Sequence, residues 1–384
     1  MASKLKKYFP IIREKEEVLA EIKKSRALQE KFDKWTEEQR EEFLNLCTGV
    51  KGLKLLYDGF FKEIMNPEYI PERLNDFLSQ MLRQKVRVLK TLPADSVRIA
   101  DESSLLIMDI VVELEDGSIA NLEVQKVGYL FPGQRSACYS ADLLLRQYKR
   151  VRGETGEKKK FSYRDIKNVY TIVLFEKSPK EFHDYPEECY HFFEQKSNTG
   201  LELVLLQKYL FIPLDIFQEN KHNRDIKVKR DAWLALLSSD DPDTIIELIE
   251  EYPEFRQVYE EAYEICLNVE RVMDMFSEEL YELDKNTVQY MIDEMQETID
   301  EQKDRLGEQQ STISEQQTTI NEQQSIINEQ QQTINKVQKQ AIQNAVILLQ
   351  ELKVPEQEIR TRICEQYQIS EEQIQELFDQ NENK

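Results

Sequence analysis

Two hydrophobic periods divide the chain. Residues 105–126 carry the dense, partly alternating apolar pattern of strands, whereas apolar residues recur every seventh position from 292 to 334. The run 105–112 (Leu-Leu-Ile-Met-Asp-Ile-Val-Val) is apolar on both faces and predicts a central strand with one acid, Asp109, in its middle. Residues 119–126 read as its partner, and Glu115-Asp116-Gly117 between them as a hairpin turn. Loop length then fixes which side chains meet. A three-residue loop sets Leu114 against Ser118, and counting back sets Asp109 opposite Glu123 on one face, where Gln125 joins them. A two-residue loop would send the acids to opposite faces. The expectation is therefore a three-residue turn, or an equivalent bulge, with Gly117 at positive φ.

Elsewhere the pattern is mostly helical. Val18, Ile22, Leu28, Phe32, Trp35, Phe43 and Leu44 predict two helices over 11–46, broken near 33–36, with Thr36 starting the second. Helices are expected at 53–65, 72–83 and 134–150, and a short strand at 85–89. Segments 168–175 and 201–210 read as buried strands; helices at 244–251 and 259–276 follow. Ile292, Ile299, Leu306, Ile313, Ile320, Ile327 and Ile334 form the seven-residue row, with Gln302, Gln309, Gln316, Gln323 and Gln330 at the second seam position. This predicts a polar coiled coil over 291–340 that joins protomers, against the alternatives of a lone helix or a disordered Gln-rich tract. Helices at 341–352, 356–367 and 371–378 make a last small module, whose acidity argues against reading a DNA groove. The resulting plan is an N-terminal helical segment (1–50), a sheet-bearing domain (51–228), a helical extension (229–290), the heptad segment (291–340) and the C-terminal module (341–384).

Composition changes the picture in two places. The formal net charge of −22 is unevenly spread: residues 1–232 sum to +2 and residues 233–384 to −24. Overall acidity therefore does not exclude nucleic acid for the sheet domain, although no strong basic footprint argues for it. The five cysteines are scattered, which reads as reduced thiols in an intracellular protein and no zinc site. The stretch 183–191 holds two histidines, but Pro186 breaks its register and no second cluster completes a ligand set. No apolar run reaches membrane-spanning length and no hydrophobic leader is present, so a cytoplasmic protein without a membrane partner is expected.

Two carboxylates and an amide clustered on a strand pair suit a hard divalent cation with oxygen ligands, such as Mg²⁺. The structural alternative is that Asp109 caps a turn or meets a buried Arg while Glu123 is exposed. Asp58 and Lys62, one turn apart, read as an i,i+4 ion pair. Arg135 and Tyr139 share a helix face; Arg135 either grips a phosphate through its planar fork or pairs with Asp109 or Asp142.

Asp109, thirteen intervening residues, then Glu123-Val124-Gln125 resembles the core of the PD-(D/E)XK nucleases, in the variant where Gln replaces the usual Lys. With Asp58-Gly59-Phe60-Phe61-Lys62 upstream, Arg135-Ser136-Ala137-Cys138-Tyr139 downstream and Trp233-Leu234-Ala235-Leu236-Leu237-Ser238-Ser239-Asp240 further on, 53–295 resembles the PD-(D/E)XK family transposases, also called recombination-promoting nucleases. The resemblance implies an α/β fold with a restriction-endonuclease-like mixed sheet flanked by helices, followed here by a helical region and a C-terminal coiled-coil helix. It also implies a Mg²⁺- (or Mn²⁺-) dependent endonuclease acting on DNA, with RNA as the other candidate substrate. Asp109, Glu123 and Asp58 would be metal ligands, and Gln125 and Arg135 catalytic groups. Lys62, Lys126, Tyr139 and Gln147 are further substrate-side candidates. Gln cannot carry the charge of Lys; Lys62, Lys126 and Arg135 are the candidates to restore it, and the competing outcome is reduced activity. The competing reading is a weakened nuclease fold kept as a scaffold that assembles through its coiled coil.

Overall fold

The computed structural model describes residues 3–93, 108–128, 131–153, 161–220 and 226–382. The start of the expected first strand (105–107) and most of the charged loop after Gly153 lie outside the described residues.

A mixed six-stranded sheet carries the fold: β1 (Val88–Thr91), β2 (Ile110–Leu114), β3 (Ile119–Gln125), β4 (Val169–Phe175), β5 (His191–Phe193) and β6 (Gln207–Pro213), in the order β1-β2-β3-β4-β6-β5. β1, β2 and β3 run antiparallel in turn, β3, β4 and β6 are parallel, and β5 returns antiparallel beside β6. β4, at the centre, is buried along its whole length, as its unbroken apolar run requires of a strand covered on both faces. One face, with Ile110, Val112, Leu122, Ile172, Leu174 and Ile212, packs into the main core against Phe77, Trp233 and Phe217. The other face divides. Val111, Ile119 and Val169 meet Tyr139 and Leu143 of the helix Pro132–Gly153, while Val173, Phe175 and Phe211 meet Phe182 and Ile216. The acids stand on this second face.

Helices fall close to their expected places, with instructive differences. Residues 15–47 form three helices, not two, because Ser25 accepts from Leu28 N–H and caps a separate helix, Arg26–Lys34. Thr36 starts the next one through a reciprocal capping box with Gln39. The helix expected at 53–65 begins only at Asp58, since Leu53, Leu55 and Leu56 enter the core as irregular chain. The strand expected at 201–210 is instead Gln207–Pro213: its length is set by the seven residues of β4 that it pairs with one for one, and Leu201, Leu203 and Val204 are left exposed. The helix expected at 259–276 is two, Pro253–Ile265 and one starting at Val269, where Asn268 accepts from Arg271 N–H at 3.0 Å. The N-terminal helices dock on these through Trp35 on Phe276 (4.9 Å) and Phe9 on Tyr263 (5.4 Å).

From Val269 one helix runs 83 residues to Glu351. The chain separates into two compact units, Met1–Met295 and Gln296–Lys384. In the second, Ile342 and Val346 at the end of the long helix form a core with Ile359 and Ile363 of Glu356–Tyr367 and with Ile374 and Phe378 of Glu371–Glu382. Among the described residues no helix is long and apolar enough to cross a membrane.

Candidate active site

The site begins with the turn. Leu114 and Ser118 face each other across Glu115–Gly117: Leu114 N–H donates to Ser118 O at 2.8 Å and Gly117 N–H to Leu114 O at 2.9 Å. Gly117 takes φ +84, a conformation that costs a side chain and not glycine. The ladder continues through Val112↔Ala120 and Ile110↔Leu122, and the next step sets Asp109 opposite Glu123. Asp109 sits one residue before β2 rather than within it, and its Oδ2 accepts the Val124 N–H at 2.7 Å. The acid expected in mid-strand thus closes the strand end and braces the neighbouring strand.

Glu123 is 4 % exposed and Gln125 5 %. Neither Glu123 Oε1 nor Gln125 Oε1 has a hydrogen-bond partner among the described residues. Burial, and then the charge of Asp109, push the Glu123 carboxyl up to about 8, with Arg135 acting the other way. Burial also raises Asp109, while the Val124 N–H and Lys62 pull it down. A buried carboxyl beside a part-buried one, as Glu123 stands beside Asp109, shares a proton with it at neutral pH unless a cation stands between them.

The helix Asp58–Ile64 supplies a cation. Lys62 Nζ lies 2.9 Å from Asp58 and 3.7 Å from Asp109, and these acids hold its pKa up against the desolvation that would lower it. Asp58 therefore engages the ammonium of Lys62, and its side chain is about half exposed. Among the described residues no group of three or more His, Cys, Asp or Glu side chains converges on one metal position. The expected three-acid set is thus not assembled, because Lys62 lies between Asp58 and Asp109. The donors that remain, the Asp109 carboxylate together with Glu123 Oε1 and Gln125 Oε1, both buried and unpartnered among the described residues, still fit a Mg²⁺ that retains several waters.

The other expected residues divide. Arg135 lies close enough for its charge to lower Glu123, with its guanidinium 5.3 Å over the Tyr139 ring. Asp142, the alternative partner for Arg135, pairs with Arg146 at 2.7 Å. Tyr139 is 1 % exposed and packs in the core beside Val111 and Ile119, so it presents no surface to a substrate. Lys126 turns to the opposite face, where its ammonium meets Glu279 (2.8 Å), Glu176 (3.3 Å) and the Leu56 carbonyl. Gln147 stands at the wrong end of the hairpin. It donates to Gly117 O (3.1 Å) and accepts from Lys167 N–H (2.6 Å), about 20 Å along β3 from Glu123 at 3.3 Å per residue. Sequence reading missed Glu279, which holds Lys126 and accepts the Asp58 N–H at 3.2 Å; no local signal joins positions that far apart in the chain.

A family model, PD-(D/E)XK nuclease family transposase, matches residues 55–294, more than half of the chain. No curated protein and no solved structure shows a significant match to it. The matched span contains the whole mixed sheet, the hairpin with its opposed acids and the helix bearing Asp58 and Lys62. On this match and this sheet, the chain belongs to the PD-(D/E)XK nuclease family transposases.

Proposed function

We propose that the protein is a divalent-cation-dependent endonuclease that hydrolyses phosphodiester bonds of DNA at Asp109, Glu123 and Gln125. One observation carries the reading: the register sets the buried Glu123 carboxyl beside the part-buried Asp109, and the oxygens Glu123 Oε1 and Gln125 Oε1 have no hydrogen-bond partner among the described residues. Asp109, Glu123 and the Gln125 carbonyl would hold Mg²⁺ or Mn²⁺, while Asp58 on the adjacent helix holds the Lys62 ammonium beside them. When bound, the ion supplies an activated water and neutralises charge on a phosphoryl oxygen. Lys62 provides the positive charge that Gln125 lacks, from a helix instead of from the strand. Arg135, on the Glu123 side, neutralises charge that develops on the phosphate oxygens. Gln125 orients the nucleophile through its amide. The test is plasmid cleavage in Mg²⁺, with single-stranded DNA and RNA as parallel substrates. Wild-type protein nicks DNA, and Asp109→Ala and Glu123→Ala each abolish this; tight binding without any cutting under these conditions refutes the reading.

A specific observation supports a second property, self-association through 291–340. Every member of the seven-residue row from Ile292 to Ile334 is 45–63 % exposed on a continuous helix. A row this regular buries itself against a second copy of the same helix, with Gln layers weakening the seam. The nuclease unit would then act as one of a pair, with 341–384 as a packing or partner module.

A further inference from the structure

The sheet face that carries the acids also carries a cleft at its far edge. A cavity of about 520 Å³ opens there between the first turn of the helix Pro132–Gly153 and the β5–β6 edge. Its walls are aromatic. Phe131, Tyr185 and Phe193 form a rim that is 48 %, 60 % and 51 % exposed, above buried Phe182 and Phe211. Phe193 stands 5.4 Å from Phe211, and His191 5.0 Å from Phe182, both edge to face. Phe131 holds φ +66, an uncommon conformation for a bulky side chain. Exposed rings gathered in this way mark a binding surface more often than chance.

Register ties the cleft to the acids. Glu123 pairs with Val173, Val173 with Phe211, and Phe211 with His191. Directly paired residues share a face, so one transverse row leads from the carboxyls to the aromatic floor. At about 4.8 Å per strand, Phe211 lies roughly 10 Å and His191 roughly 14 Å from Glu123 along that row. The lining chemistry selects the ligand. Glu181 on the wall disfavours a second phosphate, whereas Glu181, Gln134 and His191 offer acceptors and donors to the edge of a flat heterocycle whose faces meet the rings.

We propose that this cleft receives an unpaired nucleobase of the substrate, stacked on the Tyr185 and Phe193 rings, while the backbone of a neighbouring nucleotide lies at Asp109 and Glu123. The proposal rests on the nuclease reading above and narrows its substrate to nucleic acid with single-stranded or extruded bases. A base within a duplex keeps both π-faces covered by its neighbours; only an unstacked one reaches the rings.

The test measures binding, not cleavage. Full-length protein in chelator is titrated with fluorescent oligothymidylate, oligouridylate and a blunt duplex of equal length. Single strands bind more tightly than the duplex, and the two single-strand arms separate a DNA base from an RNA base. Tyr185→Ala and Phe193→Ala each weaken single-strand binding by about tenfold. The ring-retaining Tyr185→Phe and Phe193→Tyr stay within about twofold of wild type by the same stacking argument. An iodouracil-substituted strand photocrosslinks to Tyr185 or Phe193. Both rings are half exposed, so unchanged thermal midpoints certify the alanine variants as folded. Single-strand binding unaltered by both alanine substitutions, or crosslinks confined to other residues, overturns the cleft proposal. If Asp109-dependent cutting persists in that case, the nuclease reading stands alone; if wild-type protein neither binds nor cuts any of the three probes, both fall.

Discussion

Glu123 is the residue whose environment is most demanding. Its carboxyl titrates near 8 against an ordinary value of 4.5, chiefly through burial and then through Asp109. Between those values the folded, metal-free protein keeps a proton that the unfolded chain has released. This contribution to stability is complete below 4.5 and is lost as pH rises to about 8, at no more than about 1.4 kcal/mol per unit. Thermal midpoints in chelator should therefore fall with rising pH across this window, and Glu123→Gln should flatten the dependence; parallel curves for the two proteins would contradict the assignment. The same proton competes with a cation, so Mg²⁺ affinity by calorimetry should climb toward pH 8 and then level. Lys62 is the second telling residue. Lys62→Met removes the ammonium 3.7 Å from Asp109 and should slow cleavage by roughly a hundredfold, with Lys62→Arg recovering part of it. Cleavage by Lys62→Met at the wild-type rate would show that the charge comes from elsewhere.

Among the elements, the hairpin and the long helix set the site. Three residues between Leu114 and Ser118 bring both acids to the face shared with Gln125. Deleting one of them moves Glu123 to the opposite face, and activity should vanish while the fold persists, as read by near-ultraviolet circular dichroism. On the other side of the sheet, Lys126 and Glu279 form a pair in which each side chain is 8 % exposed. Removing one partner strands a buried charge, so Lys126→Met should cost about 3–5 kcal/mol in chemical denaturation, and adding Glu279→Leu should restore most of it. Lys126→Met without loss of stability would mean that the pair is solvated. Glu279 also accepts the Asp58 N–H, which anchors the helix carrying Lys62.

At the scale of the whole molecule, the sheet, the acids and the aromatic cleft lie in the compact unit Met1–Met295, and most of the heptad row in Gln296–Lys384. If the proposed seam joins two copies, replacing Ile313 and Ile320, both more than half exposed, with Glu should turn a dimeric elution into a monomeric one on a sizing column with light scattering, leaving the melting of the sheet unit unchanged. A wild-type chain that elutes as a monomer at every concentration would exclude the seam as an interface.

Local pattern was enough wherever one interaction decides the outcome. The turn length, Gly117 at positive φ, the opposition of Asp109 and Glu123, the Thr36 cap and the heptad period were all legible because each depends on a few neighbouring residues. Longer-range partners were not. Gln147 and Tyr139 lie on the expected helix, but the docking of that helix sends one to the turn and the other into the core. Lys126 lies beside Gln125 yet points to the opposite face, toward an acid 153 positions away. Likewise, only the strand order β3-β4-β6-β5 brings the aromatic residues around His191 into line with Glu123. Sequence sets the period and the turn through short-range sterics and hydrogen bonds. Tertiary packing decides which charge faces which, because burial and pairing are settled by elements that sequence distance does not relate.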